Sequence, residues 1–239
     1  MLKAKEIVDR FKADRKSFGA WPSFQSTILR GVAAIGDHRL LRCMLIERVA
    51  PEVLRVDPKF DCRFLSAREL AVYCTKPEYE LDEPFLREAA DKGDECFGIF
   101  EGEVLASYGW YSTRPTAITE RLRLCFNAEY VYMYKGFTHP HYRGMRLHSV
   151  GMGMALNDYV RRGQKGIVSY VEAQNLSSLK SCYRMGYRDF GQIAYARLLG
   201  RYLTFATKSS TSYGFRVEEL RPATPAAVGM REVPRAARG

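Results

Sequence analysis

The stretch Phe137–Leu156, FTHPHYRGMRLHSVGMGMAL, decides the fold. It begins as the end of a strand, turns through Pro140, passes Tyr142-Arg143-Gly144 and continues as a helix. Leu147, Gly151, Ala155 and Tyr159 fall on one i+4 ridge with Val150 and Met154 beside it, which predicts a helix buried along one face and ending near Arg162-Gly163. Upstream, EYVYMYKGF alternates aromatic and β-branched residues and reads as a strand. Downstream, GIVSYVE is a short apolar strand. Strand, helix and strand in that order predict a parallel βαβ unit.

Outward from this centre, NLSSLKSCYRMG reads as a helix capped by Asn175 and stopped by Gly186. CFGIFEGEVLASYGW reads as a hairpin turning at Glu101-Gly102-Glu103. DCRFLSARELAVYC reads as a strand running into a helix with Ser66 as cap, and DEPFLREAADKGD as a helix with Pro84 in its first turn. Residues 1–35 read as helical, and RLLRCMLIERV as a strand. YRDFGQIAYARLL and YLTFAT complete the β content. The expected division is an N-terminal extension of helices plus a strand (1–59), a main domain (60–207) and a partly disordered tail (208–239) that ends in RPATPAAVGMREVPRAARG, rich in Pro, Ala, Gly and Arg. Helices interspersed with a mixed sheet place the chain in the α/β (α+β) class.

Composition bounds the chemistry. The chain has 239 residues with 46 % apolar content, enough for a core without disulfides or metals. None of the six cysteines forms a C-x-x-C pair, so zinc-ribbon and thioredoxin readings lack support. The N-terminus lacks an apolar signal region, and no apolar run reaches membrane-spanning length, so the expected location is cytoplasmic. A formal charge of +10 points to an anionic partner. From Lys135 to Lys165 there are six Lys/Arg and one Asp.

A loop such as Tyr142-Arg143-Gly144 at a helix N-terminus offers unpaired N–H groups and partial positive charge, which suit a pyrophosphate. Two rivals compete. His139, His141 and His148 suggest a metal site, but Pro140 ends the strand on which an H-x-H pair would share a face, so no metal is expected. The basic charge and the 15 Tyr and 13 Phe suggest base stacking, but no nucleic-acid recognition motif appears, so nucleic acid is not expected.

Thr138-His139-Pro140, Arg143-Gly144, and then Asn175, Ser178, Arg184, Gly186 and Tyr187 resemble the two central motifs of the GNAT superfamily of acyl-CoA-dependent N-acyltransferases. The element order resembles that family from about Asp61 to Thr207. Arg146 and His148 stand where the family has its last two loop glycines. Cys182 stands where the family often has a tyrosine acid, and Tyr183 follows one residue later. The resemblance implies a mixed, mostly antiparallel sheet with a central splayed parallel strand pair, flanked by helices. It implies transfer of an acyl group, acetyl by expectation, from acyl-CoA to a primary amine by direct attack. A long-chain acyl group on an acidic acyl carrier protein is the alternative donor, and a homodimer is a candidate assembly.

By the same resemblance, Phe137, Thr138, Arg143, Gly144, Met145, Arg146, Leu147, His148 and Asn175 bind the cofactor. Tyr183 is the expected proton donor to the leaving thiolate. Glu129 and Glu172 are candidate bases, and each also reads as a solvated strand-end carboxylate.

Overall fold

The computed structural model describes residues 4–220. The chain opens with helices α1 (Ala4–Phe18) and α2 (Ala20–Ile35), then strand β1 (His38–Ile46). Next come β2 (Phe60–Leu65), short helix α3 (Ala67–Leu70), α4 (Glu83–Lys92), β3 (Glu95–Glu101) and β4 (Val104–Ser112). Two short strands follow, β5 (Thr116–Thr119) and β6 (Leu122–Cys125), and then the central unit β7 (Tyr130–Thr138), α5 (Leu147–Arg161) and β8 (Gly166–Glu172). The remainder is α6 (Leu176–Met185), β9 (Arg188–Leu198), β10 (Arg201–Ala206), α7 (Lys208–Thr211) and β11 (Arg216–Glu219).

Eight strands form one sheet in the order β10-β9-β1-β8-β7-β4-β3-β2, and β11-β6-β5 form a second, small sheet. In the large sheet β7 and β8 are parallel, and the other neighbours are antiparallel. This is the mixed, mostly antiparallel sheet with one central parallel pair that the motifs implied. The parallel pair exists because α5 carries the chain back across the sheet between its two strands.

Strand β1 lies in the middle of this sheet. It pairs with β8 (Leu41↔Glu172 through Ile46↔Ile167) and with β9 (His38↔Ala196 through Leu45↔Arg188). Its run CMLI is buried on both faces, with Met44 and Ile46 in the core beneath α5 and Cys43 and Leu45 in the core beneath the small sheet. A boundary at residue 59 therefore does not separate an extension from the main domain. The expected tail also needs correction. Within 208–239, residues 208–211 form α7 and 216–219 form β11, whose Arg216–Glu219 pair with Cys125–Leu122. The stretch 221–239 lies outside the described residues.

Three apolar clusters fix the layers. One face of the sheet packs on α5 and α6 through Leu147, Val150, Leu156 and Leu179. The opposite face is covered by α3 and α4 over β2–β4, through Leu70, Leu86 and Ala89. Over β1, β8 and β9 that face is covered by the small sheet, through Leu122, Leu124 and Val217.

Helices α1 and α2 lean on the loop between β8 and α6. Ser26 Oγ and Arg30 Nη2 donate to the Gln174 carbonyl at 2.8 and 2.9 Å, and Arg30 pairs with Asp14 across the two helices at 2.8 Å.

Candidate active site

The parallel pair is short. Only Tyr130↔Gly166, Val131↔Ile167 and Tyr132↔Val168 are in register, yet β7 runs on to Thr138 and β8 to Glu172. Beyond Tyr132 each strand follows its other neighbour, β4 or β1, and the two part. The Ser169 hydroxyl reaches across the widening gap to donate to the Met133 carbonyl at 2.9 Å. A bulge assists the divergence. Lys135 opposes Trp110 and Met133 opposes Tyr111, so Tyr134 is an extra residue. Bulges re-aim side chains in this way.

The gap is a cavity of about 370 Å³. Its walls are Tyr132 to Tyr134 and Gly136 to Thr138 of β7, Ser169 to Val171 of β8, His148 of α5, and Ser178 and Cys182 of α6. The N-terminal turns of both helices meet it. On the β4 side Ser107 Oγ donates to the Phe137 carbonyl at 2.7 Å and lies 3.2 Å from Thr138 Oγ1, and the Phe137 ring stacks on Tyr108.

The entry to α5 is the loop of the opening motif. Pro140–Tyr142 form a 3-10 turn begun by His139, whose Nδ1 accepts from the His141 N–H. Gly144 has φ +85, which a glycine adopts without strain. Arg146, at φ +62, begins α5 in the left-handed region with no side-chain cap. The first N–H groups of a fifteen-residue helix are thus free of a side-chain acceptor. Arg143, Gly144, Met145 and Arg146 are exposed, and neither arginine has an acidic partner among the described residues. Leu147 does not face this loop surface. It is buried in the core and anchors the helix.

His148 keeps part of its surface open to the cavity but is hemmed in by protein, and that burial holds its pKa below the ordinary value. Its imidazole is therefore neutral at pH 7. On α6, Asn175 Oδ1 accepts from the Ser178 N–H at 3.2 Å and from Ser177 Oγ at 3.0 Å, which caps the helix. Ser178 and Cys182 are one turn apart and share the cavity-facing side. Burial pushes the Cys182 thiol up to about 11.

The expected catalytic residues fare differently. Tyr183 is absent from the cavity wall and 47 % exposed, because the next position on a helix is turned by about 100°. Cys182, at the family spacing, is the residue in the wall. Glu129 stands at the closed end of the strand pair, ion-paired with Lys165 at 2.6 Å. Glu172 is at the open end but outside the cavity wall. It pairs with Arg39 at 3.2 Å and accepts from Gln174 Nε2. Among the described residues no Asp or Glu lines the cavity. Sequence reading missed Ser107, Tyr134, Ser169 and Tyr170. Their strands were recognisable, but which strand faces which gap is a matter of pairing.

No family model matches the chain, and no curated protein matches it by sequence. Solved structures do resemble it. A putative acetyltransferase of the GNAT family from Novosphingobium aromaticivorans is 16 % identical over 77 % of this chain, with a TM-score of 0.44. A GCN5-related N-acetyltransferase from Sphaerobacter thermophilus is 13 % identical over 82 % of this chain, with a TM-score of 0.47. A tandem GNAT protein from the clavulanic acid biosynthesis pathway is 14 % identical over 82 % of it, with a TM-score of 0.45. The chain spans 66 %, 57 % and 59 % of the lengths of these three proteins.

Proposed function

We propose that the protein is an N-acyltransferase that moves an acyl group, acetyl in the simplest case, from coenzyme A to a primary amine. The observation that carries this reading is the parting of β7 and β8 after Tyr132 and Val168, which opens a cavity onto an uncapped helix N-terminus flanked by Arg143 and Arg146. An extended pantetheine arm suits the unpaired edge of β7 beside Phe137 and Thr138. A pyrophosphate suits the N–H groups at the start of α5, from Leu147 on, where the helix dipole and the guanidinium groups of Arg143 and Arg146, without acidic partners among the described residues, add attraction.

In this reading the amine attacks the thioester carbonyl, the C–N bond forms, and the C–S bond breaks with the electron pair on sulfur. The neutral thiol of Cys182 gives its proton to the departing thiolate, taking the place expected of Tyr183, and is restored by the surplus proton that the acylated nitrogen sheds. Thr138 and Ser178 supply hydroxyl donors near the developing oxyanion. Asn175 holds Ser178 in place through its cap.

The test is release of free thiol and the mass of the acylated product, with acetyl-CoA, a long-chain acyl-CoA and an acyl carrier protein as parallel donors. Acetyl-CoA turnover supports the reading. Turnover of the carrier protein alone replaces the donor, and turnover of none refutes the transferase.

A further inference from the structure

Among the described residues no acidic side chain lines the cavity, yet a buried carboxylate lies one hydrogen bond from its wall. Tyr134, the extra residue of the β7 bulge, lines the cavity and donates its hydroxyl to Asp94 Oδ2 at 2.8 Å. The same oxygen takes Lys92 Nζ at 2.8 Å. Lys92 in turn donates to Thr116 Oγ1 at 3.2 Å and sits 4.9 Å from the Tyr134 ring centroid. The Asp94 side chain is 1 % exposed, and Oδ1 has no partner among the described residues.

Local structure holds the group rigidly. Helix α4 ends at Gly93 in the left-handed conformation, and the Asp94 N–H returns to the Ala89 carbonyl at 2.8 Å. Phe85 of the same helix packs on Trp110 and against Tyr134.

A buried carboxylate oxygen without a donor is costly, and folds keep few of them. Here the Oδ1 lone pairs are met by no donor among the described residues. Tyr134 is both a wall residue of the cavity and a hydrogen-bond partner of Asp94, so its phenol links the two. Glu129 and Glu172 lie outside the cavity wall, and their ion-pair partners Lys165 and Arg39 lie outside it too. His148 approaches the cavity from α5, with its ring packed on Gly136.

We propose that Tyr134 and Asp94 form the proton relay that deprotonates the attacking amine. This rests on the transferase reading above. The ammonium nitrogen gives a proton to Tyr134 Oη while the Tyr134 proton passes to the Asp94 carboxylate. The amine becomes neutral, the phenol is regenerated and Asp94 becomes a carboxylic acid. The freed lone pair on nitrogen then forms the C–N bond. A water molecule in the same position would be deprotonated by the same path, so thioester hydrolysis without amine also depends on the relay. Tyr134 is the catalytic residue here. Asp94 acts through it, and Lys92 positions Asp94.

The test uses the full chain and acetyl-CoA, with water alone and with spermidine, tyramine and lysine methyl ester as acceptors. Thiol release gives the rate, and calorimetry gives the acetyl-CoA Kd. Tyr134→Phe removes only the hydroxyl and leaves the Lys92–Asp94 pair. Asp94→Asn keeps an oxygen for the Tyr134 hydroxyl to donate to and removes the charge. Each variant should cut the rate by ~10²-fold or more, with Kd near the parent value. The melting temperature of Tyr134→Phe should stay near the parent's, whereas Asp94→Asn, which unpairs Lys92, should melt lower. If Asp94→Asn fails to fold, Tyr134→Phe decides alone. A Tyr134→Phe rate within a few-fold of the parent overturns the relay and leaves acyl transfer standing. So does a loss confined to His148→Gln. A parent that neither binds nor cleaves acetyl-CoA overturns the transferase reading, and the relay with it.

Discussion

The imidazole of His148 rests on the bare backbone of Gly136. A Cβ placed on Gly136 would stand 2.4 Å from His148 Cε1 and 2.7 Å from Met133 Cε. The close fit lets a bulky side chain occupy the first turn of α5 without closing the gap between β7 and β8. Gly136→Ala should destabilise the fold by about 1–3 kcal/mol through overpacking. His148→Ala in that background should recover part of the loss. Denaturant unfolding of the two single variants and the double variant measures the coupling. Strict additivity would mean that the two residues do not share the space.

His148 also gives a pH signature. Burial lowers its folded pKa below the ordinary 6.5, so the folded state disfavours the charged form. Its contribution to stability is complete above pH 6.5 and is lost as pH falls through the lowered value. The melting temperature of the parent should drop more between pH 7.5 and 5.5 than that of His148→Gln. Parallel curves would remove His148 as the source.

Cys182 lies in the cavity wall, whereas Tyr183 points outward, and their chemistry should differ accordingly. With its thiol raised from 9.0 to about 11, Cys182 should react with iodoacetamide at pH 8 about 100-fold more slowly than an unperturbed thiol. Bound acetyl-CoA should slow it further. Cys182→Ser should lower kcat by more than ten-fold if the thiol protonates the leaving group, and Tyr183→Phe should stay within a few-fold of the parent. Peptide mapping and thiol-release kinetics check the two parts.

Asn175 joins helix stability to the site through Ser178. Asn175→Ala should cost about 0.5–2 kcal/mol as a lost cap. Ser178 lines the cavity, so acetyl-CoA affinity should weaken as well. Thermal unfolding and calorimetry on the same sample separate the two. Lost stability with unchanged affinity would reduce Asn175 to a cap.

Much of the central unit was legible in the sequence because its signals are local. The ridge Leu147, Gly151, Ala155 and Tyr159, the cap Asn175 and the stop Gly186 each act within a few residues of where they stand. The place of β1 between β8 and β9 was not legible. An apolar strand states that it is buried, not which strands flank it. The small sheet was missed because β5, β6 and β11 have four residues each, too few for an alternation to declare itself. Its third strand also lies beyond residue 207, where the main domain was expected to end. Asp94 and Tyr134 are 40 residues apart, and a helix end and a strand bulge bring them together. Lys92-Gly93-Asp94 signalled the end of α4, but nothing local pointed from it to β7.

The central claim is that the gap between β7 and β8, with the turn leading into α5, holds an acyl-CoA thioester. Calorimetric titration of acetyl-CoA into the parent and into Gly144→Pro tests it most directly. Proline cannot adopt the φ of +85 at residue 144 and has no N–H to offer a phosphate, while a Cβ there meets nothing within 4 Å. The account predicts one site per chain in the parent and an affinity at least ten-fold weaker in Gly144→Pro, with the cooperative unfolding of the variant preserved. Equal affinity in the two proteins, or no binding to the parent, would contradict it.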